Sequence, residues 1–153
     1  MTSPAGSTKS PAFADKVARM RLQLMPIYPL PAGPPHTKFP KTVLQFHLLT
    51  EEDLDSMAAY YSQSTPDEWT DRYPCVIGWD ADFFADPSLS DEQRFVIKRR
   101  KLGKFIGLRG CETPDSEVKM RLKLTEARIQ RHIEQSKNEQ RAAEKGWMRW
   151  YGV

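Results

Sequence analysis

Between Asp115 and Lys145 the chain contains neither proline nor glycine, and this limits what it can fold into more than any other feature. Thr113-Pro114-Asp115-Ser116-Glu117 has the form of a helix start, with a threonine cap, proline at the first helical position and acids behind it. Some 30 unbroken residues predict one helix on the order of 45 Å long at 1.5 Å per residue. Val118, Leu122, Ile129 and Ile133 give its first half an apolar stripe. From Glu134 to Lys145 it is polar on every face, which suits a helix that projects into solvent or is held by a partner. Gly146 is expected to end it. Trp147, Trp150 and Tyr151, with Arg149 among them, then form an aromatic tail expected to dock into another molecule or to fold back onto the core.

Ahead of this helix the punctuation is dense. Residues 1–12 are small and polar and are expected to be disordered. Phe13, Val17, Met20 and Leu24 recur at helical spacing and predict a short amphipathic helix over 13–25. This basic, acid-poor start also has features of a mitochondrial transit peptide, against which Asp15 and the early prolines count. Six prolines between Pro26 and Pro40 forbid helix and favour an extended strap, with Tyr28, Leu30 and Phe39 as anchors on the domain's own surface.

Leu44, Phe46 and Leu48 alternate, so Thr42–Leu49 reads as a short strand. Thr50 reads as the cap of a helix over 51–63, with Leu54, Met57, Ala58 and Tyr61 on its inner face. Thr65-Pro66-Asp67-Glu68 reads as the start of another short helix, stopped before Pro74. Tyr73–Trp79 reads as a brief buried strand or extended core segment, and Asp80–Ser88 as an acidic loop. Ser90 and Gln93 form a capping-box pattern for a helix running to about residue 102–108.

The whole reads as a mainly α protein with at most two short extended segments. A disordered N-terminal and Pro-rich arm (1–35), a compact helical domain (36–133) and a projecting helix end with its aromatic tail (134–153) are the expected parts.

Charge divides the chain differently. The net +3 is the balance of +5 over residues 1–50, −11 over 51–93 and +9 over 94–153, counting Lys/Arg against Asp/Glu. Arg94–Gly110 holds seven basic residues and no acid. On a helix it places Phe95, Leu102 and Ile106 on one stripe, leaving Arg94, Lys98, Lys101 and Lys104 across the opposite half. With Arg100, and with Phe105 able to stack on a base, this is a candidate nucleic-acid or partner-binding face. The competing reading is that the acids of 51–93 neutralise it internally.

Signatures for chemistry are weak. His36, His47 and His132 are scattered, and Cys75 and Cys111 lack a CxxC pair, so neither a zinc site nor a disulfide framework is indicated. Asp80, Asp82 and Asp86 invite a calcium-loop reading, but Ala85 stands where glycine is needed and Asp91 where a bidentate glutamate is needed. No cofactor motif is present.

The expectation is therefore a non-catalytic interaction or assembly subunit, intracellular from its cysteine usage, with protein partners met by the C-terminal helix and tail. The alternatives are a nucleic-acid-binding component acting through 94–109, and an enzyme using the acidic loop at 80–86. No stretch is apolar enough to span a membrane.

Overall fold

The computed structural model describes residues 10–152; of the disorder expected over residues 1–12, the part at 1–9 lies outside the described residues, and residues 10–12 are instead the cap and first turn of a helix. The protein is mainly α. Its elements are α1 (Pro11–Met20), α2 (Val43–His47), α3 (Glu51–Tyr60), a 3-10 turn (Thr70–Arg72), α4 (Ala81–Phe84), α5 (Asp91–Ile106) and α6 (Asp115–Tyr151). Two compact units result, one ending at Glu112 and one beginning at Thr113. The boundary between these units falls where the last helix starts, and the Pro-rich strap lies within the first of them.

α1 begins two residues earlier than its apolar spacing suggests. Ser10 accepts from the Phe13 N–H and proline occupies the first turn, a combination that suits a helix N-terminus. It ends at Met20, and the chain then runs beside the start of α2. Leu24 donates to the Lys41 carbonyl (2.9 Å) and Val43 to the Leu22 carbonyl (3.0 Å). An isolated antiparallel bridge joins Gln23 to Thr42, and no strand forms among the described residues.

The expected strand at 42–49 is instead the helix α2. Thr42 caps it by accepting from the Gln45 N–H, and the Gln45 side chain accepts from the Lys41 N–H (2.7 Å). This reciprocal capping favours a helical turn over the weak alternation of the sequence. Phe46 and Leu49, three apart, turn inward, while Leu44 and Leu48 are exposed.

α3 starts as its acids suggest, with Thr50 and Asp53 in a capping box, and buries Leu54, Met57 and Ala58. It stops at Tyr60 because Ser62 takes a left-handed conformation (φ 55°). The helix expected after Thr65 does not form there. Asp67 instead accepts from the Ser62 hydroxyl (2.7 Å) and the Trp69 N–H (2.8 Å), which makes it a turn-former. Tyr73–Trp79 forms no strand: residues 73–75 bend, and the buried Gln63 amide holds the irregular chain after them at one point. Gln63 accepts from the Ile77 N–H (3.0 Å) and donates to the carbonyls of Tyr61 and Thr70.

Tyr61 lies at the centre of the first unit and has no exposed surface. Its ring meets Phe39, Tyr60 and Tyr73 edge-on and Phe105 at a tilt. Its hydroxyl donates to the Ile27 carbonyl (2.6 Å) and accepts from the His36 N–H (3.1 Å). The Tyr73 hydroxyl accepts from the Leu30 N–H (2.8 Å). Two core tyrosines thus hold the Pro-rich strap by its backbone, satisfying polar groups that proline leaves unpaired. Ile27, Leu30 and Phe39 pack on the core, whereas Tyr28, an expected anchor, is exposed.

α5 has its predicted capping box and ends on Gly107 at φ 93°, a conformation glycine adopts without strain. It packs on α3. A Cβ on Gly103 would lie 2.5 Å from Cys111 Sγ and 3.0 Å from Phe46 Cζ, so only glycine lets that chain segment and ring seat here.

α6 has 37 residues, about 55 Å at 1.5 Å per residue. Pro114 is its N-cap, and Thr113 makes no capping hydrogen bond. Gly146 lies inside the helix and does not end it. The stop is Gly152, left-handed at φ 67°. A lone glycine costs a helix only about 1 kcal/mol, and the helix formers on both sides of Gly146 outweigh it.

Candidate interaction surface

The basic stretch on α5 is turned differently from its apolar spacing. Ile97, Lys98, Lys101, Leu102 and Phe105 are buried, and Phe95 and Ile106 only half-buried. Phe105 is therefore a core ring against Tyr61 and Tyr73, with centroids 5.4 and 5.5 Å away, and has no free face for a base.

Acids from α3 set this rotation. Lys98 Nζ lies 2.9 Å from Glu51 Oε1 and 2.7 Å from Asp55 Oδ1, with the rings of Phe84 and Trp79 at 5.2 and 5.9 Å. Arg94 grips Glu51 through Nε and Nη2, and Nη2 also meets Asp91 Oδ1 (3.0 Å). The Arg94 hydrogen bond, joined by Lys98, pulls the Glu51 carboxyl down to about 2 although burial opposes it. The same bond raises Arg94.

Other cations of the stretch are also engaged. Arg99 lies over the Phe95 ring (5.2 Å) and Arg100 Nη1 donates to the Glu112 carbonyl (3.4 Å). Lys104 and Arg109 are at the surface. The expected free face of Lys98, Lys101 and Lys104 is thus reduced to Lys104, because Lys98 and Lys101 are buried, and α3 supplies the carboxylates that the buried Lys98 ammonium needs. The opposite charge of the two segments carried this signal, and internal neutralisation describes Arg94 and Lys98.

The acidic loop does local structural work. Asp80 caps α4 by accepting from the Phe83 N–H (3.1 Å), and Asp86 accepts from the Ser88 N–H (3.0 Å). Among the described residues no group of three or more His, Cys, Asp or Glu could hold a metal ion. One pairing was not visible in the sequence: His36 Nε2 lies 2.9 Å from Ser56 Oγ. It resembles a nucleophile and its base, but His36 Nδ1 accepts from the Lys38 N–H (3.0 Å). In the neutral imidazole the proton then sits on Nε2, which donates to Ser56 and cannot deprotonate it. Burial lowers the His36 pKa and favours that neutral form.

α6 carries exposed apolar side chains in a regular line. Val118, Leu122, Ile129, Ile133, Trp147 and Trp150 are all exposed, Trp150 by 90%. At about 100° per residue they fall within roughly 100° of one another, with Tyr151 at the edge of the same stripe. Trp147 and Tyr151 stack with centroids 4.6 Å apart, and Arg149 lies exposed between them in sequence. The aromatic residues are therefore a continuation, in phase, of the stripe that begins at Val118. Reading Gly146 as a stop hid that continuity.

No protein-family model, curated protein or solved structure matches the chain. No helix among the described residues is long and apolar enough to cross a membrane.

Proposed function

We propose that this chain is a non-catalytic interaction or assembly subunit of a larger intracellular complex, and that the apolar stripe of α6 is its contact surface. The exposed line of Val118, Leu122, Ile129, Ile133, Trp147 and Trp150 carries this reading. Its exposed apolar side chains lie in phase along one helix face, with tryptophans, the residue type that dominates interface energetics, at one end. An intracellular setting suits two free thiols, Cys75 and Cys111.

A chain truncated after Glu134 keeps the first unit whole and loses the aromatic end of the stripe. In an affinity purification it is expected to lose the proteins that the full chain retains. An unchanged set of partners would remove the reading. The alternative, nucleic-acid binding through 94–109, draws on Lys104 and Arg109 and has less support, since Lys98 and Phe105 are committed to the interior. Binding to RNA that weakens steeply with salt and is lost on changing Lys104 and Arg109 to Glu would reinstate it.

A further inference from the structure

The stripe on α6 is narrow and broken near its middle by Ser136 and Gln140, which lie in phase with it at the same roughly 100° spacing. A lipid surface asks for a broad, unbroken apolar face. A narrow seam with polar residues at its centre is what another helix packs against, the polar positions fixing register. The charges beside the seam say which helix. One edge carries, in order, Lys119, Lys123, Glu126, Gln130, Lys137, Arg141, Glu144 and Met148. Reversed and laid against itself, this edge pairs opposite charges.

We propose that α6 packs antiparallel against α6 of a second copy of this chain, about a two-fold axis passing between Ile133 and Glu134. The inference rests on α6 being the interaction surface and names the partner that covers it. About that axis Lys123 meets Glu144, Glu126 meets Arg141, Gln130 meets Lys137 and Lys119 meets Met148, each pair being equally far from the axis along the sequence. The two-fold repeats every pair. On the other edge Arg128 faces Glu139 and His132 faces Gln135, so no like charges are opposed there.

Along the seam Trp147 comes between Val118 and Leu122 of the second copy and Trp150 beside its Val118, setting the large aromatics among the smaller aliphatics. Ile133 comes between Ile133 and Ser136 of the second copy, and Ile129 between its Ser136 and Gln140. Parallel pairing in register brings Lys119 and Lys123 beside Arg121 of the other copy and loses this match. Lys123, Glu126, Arg141 and Glu144 are all exposed, so the charges that would specify the pairing are at the surface.

Sedimentation of the full chain at micromolar concentration is expected to show a dimer. Lys123→Glu and Glu144→Lys should each raise the dimer dissociation constant at least about tenfold, since each change opposes like charges twice. An equimolar mixture of the two variants should recover dimerisation. Glu at 123 of one copy then meets Lys at 144 of the other, and the native Glu144 and Lys123 still meet. In solutions dilute enough for the native chain to be monomeric as well, the unfolding midpoints of the variants should match it, which excludes loss of fold as the cause.

A monomeric full chain, or a mixture no better than either variant alone, overturns the proposal. If that monomer still retains partners that truncation after Glu134 removes, the interaction reading stands and only self-pairing is lost. If it retains none, both fall.

Discussion

Tyr61 and Trp150 are both large aromatic side chains with a polar group at one end; one has no exposed surface and the other is 90% exposed. Four rings surround Tyr61, and its hydroxyl is matched at both donor and acceptor positions by strap backbone. In the stripe that ends at Trp150, the ring contact is local to the helix, Trp147 stacking on Tyr151. Charge follows the same division. Lys98 is enclosed by two carboxylates and two rings, whereas Lys123 is exposed. Up to Glu112 the chain closes on its own side chains. From Asp115 it satisfies its backbone within one helix and sets exposed apolar side chains in phase along one stripe, so a partner has surface to gain there.

If that division is right, equivalent truncations should have unequal effects. Leu102, 1% exposed in the core, is the stronger test. Leu102→Ala should lower the unfolding free energy by about 3 kcal/mol, from lost burial and the cavity left behind. Leu122→Ala on α6, measured in dilute solution, should move the urea midpoint very little. Equal losses would break the comparison.

The next largest effect lies in the ion pairs joining α3 to α5. Glu51 has a folded pKa of about 2, below its ordinary value of 4.5, so its stabilisation is complete above about pH 5 and lost as pH falls through about 2. Converting the whole depression gives about 3 kcal/mol. Its side chain is 29% exposed, and solvent screening reduces this to on the order of 2 kcal/mol. Glu51→Gln should therefore destabilise at pH 7 by about that amount and flatten the acid limb between pH 5 and 2. An unaltered acid limb would place the pH dependence elsewhere.

The helices were legible where local chemistry decides. Thr50 with Asp53 and Ser90 with Gln93 are capping boxes in sequence and in space, and the unbroken run after Pro114 is one helix. The rotation of α5 was not legible. Its phase follows from Glu51 and Asp55 on another element, 43 or more residues away, and burying Lys98 between them reverses what hydropathy alone would place outside. α2 was misjudged because alternation over seven residues cannot be distinguished from two helical turns without the Thr42–Gln45 cap. For the candidate surface, Trp147 and Trp150 were readable as unusual, but their phase with Val118 depended on whether Gly146 ended the helix. A single glycine does not decide that, since flanking helix formers outweigh its cost.

The smallest expected effect on folding sharpens the comparison most. Trp150→Ser removes one of the largest side chains in the molecule, and inside a core such a loss would cost about 3–5 kcal/mol. At a site already 90% exposed the folded chain gives up almost no burial, so the unfolding free energy of dilute protein, read from urea titration, should change by less than about 0.5 kcal/mol. Association should respond in the opposite proportion. An exposed indole in an interface seam is the kind of residue whose truncation costs 2 kcal/mol or more, roughly 30-fold in affinity. A fold unchanged by Trp150→Ser together with association weakened to that degree would show that α6 keeps this surface for a partner. A large loss of folding stability would mean that Trp150 is covered within the chain itself, and that the two units differ less than their exposures suggest.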